Sequence, residues 1–83
     1  MQLLLGKEVT QRYWNQHDEI NDHGPVVMDV RMRALESGQV LEVRVNDPAA
    51  RLGVPAWSRL TGHTHLATIE DDDRRTRFFL RKR

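Results

Sequence analysis

The stretch NDPAARLGVPAWSRLTGH, residues 46–63, decides the fold of this 83-residue chain. It contains helix signals with two starting points. Asp47 suits the cap of a helix, Gly53 weakens the helical pattern, and Pro55 suits a second first turn. Gly62 then suits a left-handed stop. A proline inside a continuous helix costs about 3 kcal/mol, so the stretch predicts a helix in two pieces with a bend between them.

Residues 25–38 predict an amphipathic helix that precedes this stretch. Proline is well placed at the first helical position, here Pro25, and Gly38 suits the left-handed residue that follows a helix. Asp29 and Arg33 lie one turn apart and form a favourable charged pair. The predicted buried face has apolar residues at helical spacing. They are Pro25, Met28, Met32 and Leu35, widened by Val26, Val30 and Ala34.

The clearest strand signal is QVLEVRV at residues 39–45. Apolar side chains there alternate with Glu42 and Arg44, which predicts one buried face and one face in water. Residues 63–70 and 75–83 predict two further strands, which form a closing hairpin around the acidic turn DDD.

Residues 1–24 show little periodicity. EVTQRYW at residues 8–14 has the β-branched and aromatic residues typical of a strand, and the polar run at 15–24 predicts a loop. The resulting order is β-α-β-α-β-β, an α/β (α+β) two-layer sandwich in which two helices cover one face of a four-stranded mixed sheet. A single domain then spans residues 1–83, with residues 1–24 as a divergent N-terminal strand and loop.

The composition excludes several classes of function. With no cysteine, the chain has no disulfide, no cysteine-based zinc site and no thiol nucleophile. No apolar run is long enough to predict a membrane span, and the opening MQLLLG lacks the basic region of a signal peptide. We therefore expect a cytoplasmic protein that has no cofactor.

The net charge of +1 hides a basic segment at residues 74–83, which leaves the rest of the chain net acidic. Such a segment attracts phosphate, and it raises the alternative hypothesis of a nucleic-acid-binding module. Phe79, expected as a single exposed aromatic residue on the sheet face away from the helices, would then stack on a base. The predicted phosphate contacts are Arg75, Arg77, Arg81 and Lys82. A solvated last strand explains the same charges without a nucleic acid.

A dense group of metal-ligand residue types precedes the first helix: His17, Asp18, Glu19, Asp22 and His23. Residues two apart on a strand point the same way, so His63 and His65 are weak candidates for a shared metal, with His23 as a third ligand. The spacing matches no standard zinc pattern, and surface histidines explain it as well, so no metal site is predicted.

Asp22 is expected to accept backbone amides at the helix start, either as a cap or in a neighbouring turn. A general acid–base pair of Asp22 and His23 would need a shared pocket, and no catalytic motif accompanies these residues. The sequence therefore predicts no enzyme activity.

Taken in order, the motifs resemble the TusA/SirA-like sulfur-carrier family over about residues 25–83. The family's central pattern is matched by LEV at 41–43, DP at 47–48, VPA at 54–56 and TGH at 61–63. SGQ at 37–39 stands where the family has Pro-Gly-Glu, and RFFLRK at 77–82 matches its closing strand. The resemblance implies the same β-α-β-α-β-β fold, also seen in the C-terminal domain of translation initiation factor three. It further implies a bent second helix whose core contacts are Leu52, Val54, Trp57 and Leu60.

The functional hallmark of this family is a Cys-Pro-x-Pro motif at the start of the first helix, where the cysteine carries a persulfide sulfur. Here the motif falls at residues 21–24, which hold none of its residues, and Ser58 stands where some members carry a second cysteine. The resemblance therefore implies a non-catalytic protein-interaction or regulatory module linked to sulfur-transfer systems. Such a module is unable to carry a persulfide itself.

The resemblance also implies where protein partners bind. In the family, the N-terminal face of the first helix meets partners, so residues 20–31 are the predicted contact region. The predicted contact residues are Asn21, Asp22, His23, Gly24, Pro25 and Met28. The open face of the sheet, with Arg44 and Phe79, is the second choice. We expect a monomer or weak dimer with no membrane association.

Overall fold

Two helices and four strands follow one another in the predicted order along the residues that the structure describes, 17–71 and 75–83. In this computed structural model they are β1 (His17–Ile20), α1 (Pro25–Arg33), β2 (Val40–Val45), α2 (Ala50–Thr61), β3 (Thr64–Glu70) and β4 (Thr76–Arg81). The predicted β-α-β-α-β-β order is confirmed. The strand predicted at residues 8–14 lies outside the described residues. Neither α1 nor α2 is long and apolar enough to cross a membrane.

The first strand lies in a segment predicted as loop. The prediction of a loop throughout residues 15–24 is wrong, because His17–Ile20 pairs in parallel with β2. Ile20 is buried in the core, while Asp18 and Glu19 form ion pairs with arginines of α1 and β2. The sequence of β1 gives no strand signal because it lacks alternating apolar residues. Its acidic side chains are neutralised by arginines that are distant in the sequence.

The sheet is mixed, with strand order β1-β2-β4-β3. β1 and β2 are parallel and are connected through α1, whereas β4 pairs antiparallel with both β2 and β3. One cluster of buried side chains joins both helices to the same face of the sheet, which confirms the two-layer arrangement. The cluster includes Met28 and Met32 from α1, Ala50 and Val54 from α2, and Leu41, Val43, Phe78 and Leu80 from the sheet.

α1 buries a narrower face than its sequence predicts. Met28 and Met32 are each 1% exposed, and they form the contact with the sheet. Val26 and Val30 are 76% and 59% exposed, and Pro25 and Ala34 are exposed too, so the predicted burial of these four residues is wrong. The sheet contacts only one side of the helix, and by helical spacing both valines lie on the side opposite Met28.

Some of the predicted local features are confirmed, namely the charged pair on α1 and the two left-handed glycines. Asp29 and Arg33 form their pair, with 2.8 Å between carboxylate and guanidinium. Gly38 has a φ of 91° and Gly62 a φ of 80°, which is the left-handed region. The predicted extension of the first helix to residue 38 is wrong, because α1 ends at Arg33 with Ala34 as its C-cap and Gly38 lies in a later turn. After Gly62, the amide of His63 donates to a carbonyl of the last turn of α2 at 2.9 Å and closes the end of this helix.

α2 is one continuous helix, so the predicted division into two pieces is wrong. Pro55 lies inside it and removes a single backbone donor. Gly53 continues the helix, since its amide donates to the carbonyl of Ala49 at 3.0 Å. The prediction that Asp47 caps this helix is wrong, because the N-cap is Ala49 and no side chain caps it. Asp47 acts before the helix, where its Oδ1 accepts the amide of Ala49 at 3.0 Å.

The continuous helix changes which side chains of α2 reach the core. One stripe at helical spacing is buried, consisting of Ala50, Val54 and Ser58, and Trp57 packs partly against the core. Leu52 and Leu60 are 83% and 87% exposed, so the predicted burial of both leucines is wrong. They lie off the buried stripe of a helix that turns about 100° per residue without a bend.

The sheet face away from the helices is also largely buried. Phe79 is 3% exposed and clusters with other apolar residues of this face, Val40, Leu66 and Ala67. Glu42 is 3% exposed, and its carboxylate is paired with Arg44. The predictions of a solvent-facing side of β2 and of an exposed Phe79 are therefore wrong. An ion pair allows a charged residue to occupy a buried position that alternation alone assigns to water.

Truncation of a core methionine tests this arrangement of layers. We expect Met28→Ala to lower the free energy of unfolding by about 2–5 kcal/mol, because the lost side chain leaves a cavity under α1. Val26→Ala, on the exposed side of the same helix, should change it by less than about 0.5 kcal/mol. Urea denaturation followed by circular dichroism measures both, and equal effects would contradict the assigned buried face of α1.

Candidate functional site

Residues 21–24, in front of α1, form a tight turn. Oδ1 of Asp22 accepts the amide of Gly24 at 2.7 Å, which makes an Asx turn. Gly24 is the N-cap of α1, and its carbonyl accepts the amide of Met28 at 3.0 Å. Asp22 therefore takes the predicted turn role, shaping the chain before the helix rather than capping the helix itself.

A contact between His23 and Asp47 ties this turn to the start of α2. Nε2 of His23 lies 3.1 Å from Oδ2 of Asp47, while Oδ1 of Asp47 accepts the amide of Ala49. The Ala49 amide, and after it His23, lowers the pKa of the Asp47 carboxyl below its usual 3.8. The loops before the two helices thus form one hydrogen-bonded unit. Asp22 and His23 bond to different partners within it and do not act as an acid–base pair.

Another contact fixes α1 to the edge strand. Nε and Nη2 of Arg31 donate to the two carboxylate oxygens of Asp18 at 2.7 and 2.6 Å. Nη2 also donates to the carbonyl of Glu19 at 3.3 Å. Two-pronged pairs of this kind are geometrically specific. The pair therefore sets the rotation of α1 on the sheet and, with it, which residues face outward.

The structure brings the predicted contact residues together at the N-terminal end of α1, with one exception. The surface residues are Asn21, Asp22 and Pro25, which are exposed, and His23 and Gly24, which are half-buried. Met28 is 1% exposed, so its side chain belongs to the core and supports this surface from beneath. The inclusion of Met28 among the contact residues is therefore wrong, because its position on α1 faces the sheet.

Three exposed valines of α1 were predicted as buried or left unassigned. Val26, Val27 and Val30 are 76%, 36% and 59% exposed, and we call them the valine face. Their spacing makes them neighbours on the helix surface. The sequence signal that could have identified them is that the apolar residues of this helix extend around too much of its circumference. Apolar residues on nearly every side of one helix cannot all face a single sheet.

The candidate metal ligands have other partners. Nδ1 of His63 accepts the amide of Arg83 at 3.2 Å, and Nε2 of His65 lies 2.7 Å from Oγ1 of Thr68. The ring of His63 also lies 5.5 Å from that of Trp57. Burial is the largest cause that lowers the pKa of both histidines. Within residues 17–71 and 75–83, no group of three or more histidine and acidic side chains is placed to hold a metal ion.

The basic side chains of the last strand have separate surroundings. Nε of Arg77 lies 3.1 Å from a carboxylate oxygen at the end of β3. Nζ of Lys82 donates to the carbonyls of Arg33, the last residue of α1, and of Leu35. Arg75 is exposed and Arg81 is half-buried. Phe79 is too buried to stack on a base. The nucleic-acid hypothesis therefore stays a prediction, and it loses its proposed stacking residue.

Comparison with known proteins agrees with the motifs. Residues 25–82 match the family model described as "Sulfurtransferase TusA". "Putative sulfur carrier protein YrkF" of Bacillus subtilis (strain 168) is 40% identical over 52 residues, which are 63% of this chain and 28% of that protein. "Putative sulfur carrier protein YrkI" of the same organism is 43% identical over 42 residues, 51% of this chain and 56% of that protein. The matched part thus spans between about a quarter and just over half of these relatives. No solved structure gives a significant match.

The contact between His23 and Asp47 can be tested by titration. The Asp47 carboxyl should have a pKa below 3.8, because its charged form accepts the Ala49 amide and lies against His23. We expect His23→Ala to raise this pKa only partway, since the Ala49 amide is the larger cause and remains. NMR titration of the side-chain carboxyl measures it, with His65→Gln as the control. An unchanged pKa in the His23→Ala protein would exclude the contact.

The lowered pKa values of the two histidines near β3 lead us to expect that stability depends on pH. The folded-state pKa values of His63 and His65 are lowered from 6.5, so the unfolded chain binds more protons just below that pH. This contribution to stability is complete above pH 6.5 and is lost as the pH falls through the lowered values. We expect His65→Gln to flatten this part of the profile in urea denaturation at a series of pH values. An identical slope in the variant would refute the assignment.

Proposed function

The chain belongs to the TusA family, and from that premise we propose that it is a protein-interaction module of a sulfur-transfer system that carries no persulfide itself. The observation behind this proposal is the lack of cysteine in a chain that keeps the family's other motifs. A persulfide needs a thiol sulfur to hold the transferred atom, and the Asn, Asp, His and Ser side chains at the relevant positions have none. The module binds partners and regulates transfer instead of performing it.

The valine face supports docking at the start of α1. A single exposed apolar residue is ordinary on a protein surface, but Val26, Val27 and Val30 are neighbours on one helix. Valine also has a lower helix propensity than straight-chain polar residues, so exposed valines do not serve the helix itself. Fully burying an exposed valine contributes about 1.5–3 kcal/mol, and a partner that covers these three gains the fraction of it that is still exposed, least for Val27 at 36%.

The turn at residues 21–24 supports the same mode of docking. It occupies the place where the family presents its cysteine, and Asp22 and His23 hold it through bonds to Gly24 and Asp47. A turn that is already ordered loses little conformational entropy when it binds. The module therefore occupies the surface of a partner that otherwise receives a cysteine-bearing relative, and it competes with that relative.

A binding experiment tests the docking surface. The combined change Val26→Asp and Val30→Asp should weaken binding to the sulfur-transfer enzyme that accepts a cysteine-bearing TusA-family protein of the same cell. We expect a loss of at least about tenfold, because buried carboxylates would lack partners. Leu52→Asp is the matched control, an equally drastic change at an exposed site of α2. Isothermal titration calorimetry measures all three affinities, and equal binding by the double variant and the wild type would rule out this surface.

A sulfur-loading experiment tests the second part of the proposal. After incubation with a persulfide donor, the intact mass of the protein should be unchanged, because no thiol is present to accept sulfur. A cysteine-bearing relative treated in the same way is the positive control. A gain equal to one sulfur atom that survives desalting would overturn the proposal.

A further inference from the structure

A groove lies between the C-terminal ends of α1 and α2, at the other end of α1 from the turn at residues 21–24. It encloses about 390 Å³, and its apolar lining comes from Met32 of α1 and Leu60 of α2. Met32 is 1% exposed and closes the groove from the core side, whereas Leu60 is 87% exposed. Leu60 therefore supplies apolar surface at the wall of the groove, although one exposed leucine is ordinary by itself.

Basic side chains predominate around this groove. Among the described residues that line it, Arg33, Lys82 and Arg83 are basic and Asp29 is acidic. Arg33 and Asp29 pair with each other, but with 79% and 42% of their side chains exposed the pair is weak. Lys82 donates two of its three ammonium protons to the neutral carbonyls of Arg33, at the end of α1, and of Leu35.

His63 lines the same groove and reports its electrostatic field. Burial lowers the pKa of His63 most, the charges of Arg83 and Lys82 lower it further, and Asp29 raises it. The negative ends of the two helix dipoles face this region and favour cations there. Arg83 and Lys82 nevertheless place positive charge near the imidazole, which a bound carboxylate would offset.

We propose that this groove binds an acidic peptide segment of a partner protein, with a bulky apolar side chain against Leu60 and carboxylates beside the basic residues. The inference rests on the proposed interaction role, but it uses a surface separate from the valine face. The exposed side chain of Leu60 is complementary to an apolar group of the ligand, which a phosphate or a nucleic-acid backbone does not supply. The basic rim selects acidic segments over neutral or basic ones.

Selection from a random peptide library displayed on phage, with the full 83-residue chain as bait, tests this proposal. We expect the enriched peptides to combine Asp or Glu with Leu, Ile, Phe or Met. Their affinity should fall at least about tenfold in Leu60→Ser and in Arg33→Gln, and it should weaken with added salt. Leu52→Ser is the matched control, because Leu52 is 83% exposed on the same helix, and it should bind as the wild type does.

Titration of His63 by NMR gives a second measurement. A bound acidic peptide should raise the pKa of His63 towards 6.5, because its carboxylates offset the charges of Arg83 and Lys82. An unchanged pKa in the saturated complex would place the peptide elsewhere and overturn the proposal. The absence of enriched peptides, enrichment of non-acidic ones, or equal binding by Leu60→Ser and Leu52→Ser would also overturn it.

The Val26→Asp and Val30→Asp double variant separates this inference from the proposed function. It should bind the selected peptides with unchanged affinity even where it no longer docks to the sulfur-transfer enzyme. Loss of peptide binding in this variant would assign the peptides to the valine face and refute the groove alone. Retained peptide binding with unimpaired docking would instead refute the role of the valine face.

Discussion

The packing of α1 onto the parallel pair of β1 and β2 is the constraint on which the rest of this structure depends. Met28 and Met32 fill the space above the sheet, and the two-pronged contact between Arg31 and Asp18 fixes the rotation of the helix. The methionines fix the side of α1 that faces the sheet, and the Arg31–Asp18 pair fixes the side next to β1. The remaining side therefore presents Val26 and Val30 to solvent. The apolar surface of the module is therefore a consequence of how its core is filled.

The parallel arrangement also explains why the two loops before the helices meet. β1 and β2 run in the same direction, so their C-terminal ends lie at one edge of the sheet, and each strand continues into a loop and a helix there. This geometry brings His23 within 3.1 Å of Asp47, although 24 residues separate them in the chain. The family resemblance implies that members carry their cysteine at this edge, and this chain has no cysteine.

The two ends of the helix layer differ in charge. Asp22 and Asp47 lie beside the N-terminal ends of the helices, whereas Arg33, Lys82 and Arg83 gather near the C-terminal ends. This distribution complements the helix dipoles, which favour anions at N-termini and cations at C-termini. It also gives a small domain two chemically different surfaces, an apolar one at the start of α1 and a basic groove at its end.

Sequence alone determined the order of the elements, the left-handed glycines at 38 and 62, the family and the absence of cysteine. These features depend on local backbone preferences, short-range spacing and residue identity, all of which are written along the chain. The general location of the candidate site, residues 21–24, followed from the same register. Only the tertiary structure decided that β1 forms at His17–Ile20, that α2 continues through Pro55, and that Phe79 and Met28 are buried. Burial and ion pairing depend on which distant surface a residue meets, and a periodic pattern says that a face is apolar without saying how much of it a neighbouring layer can cover.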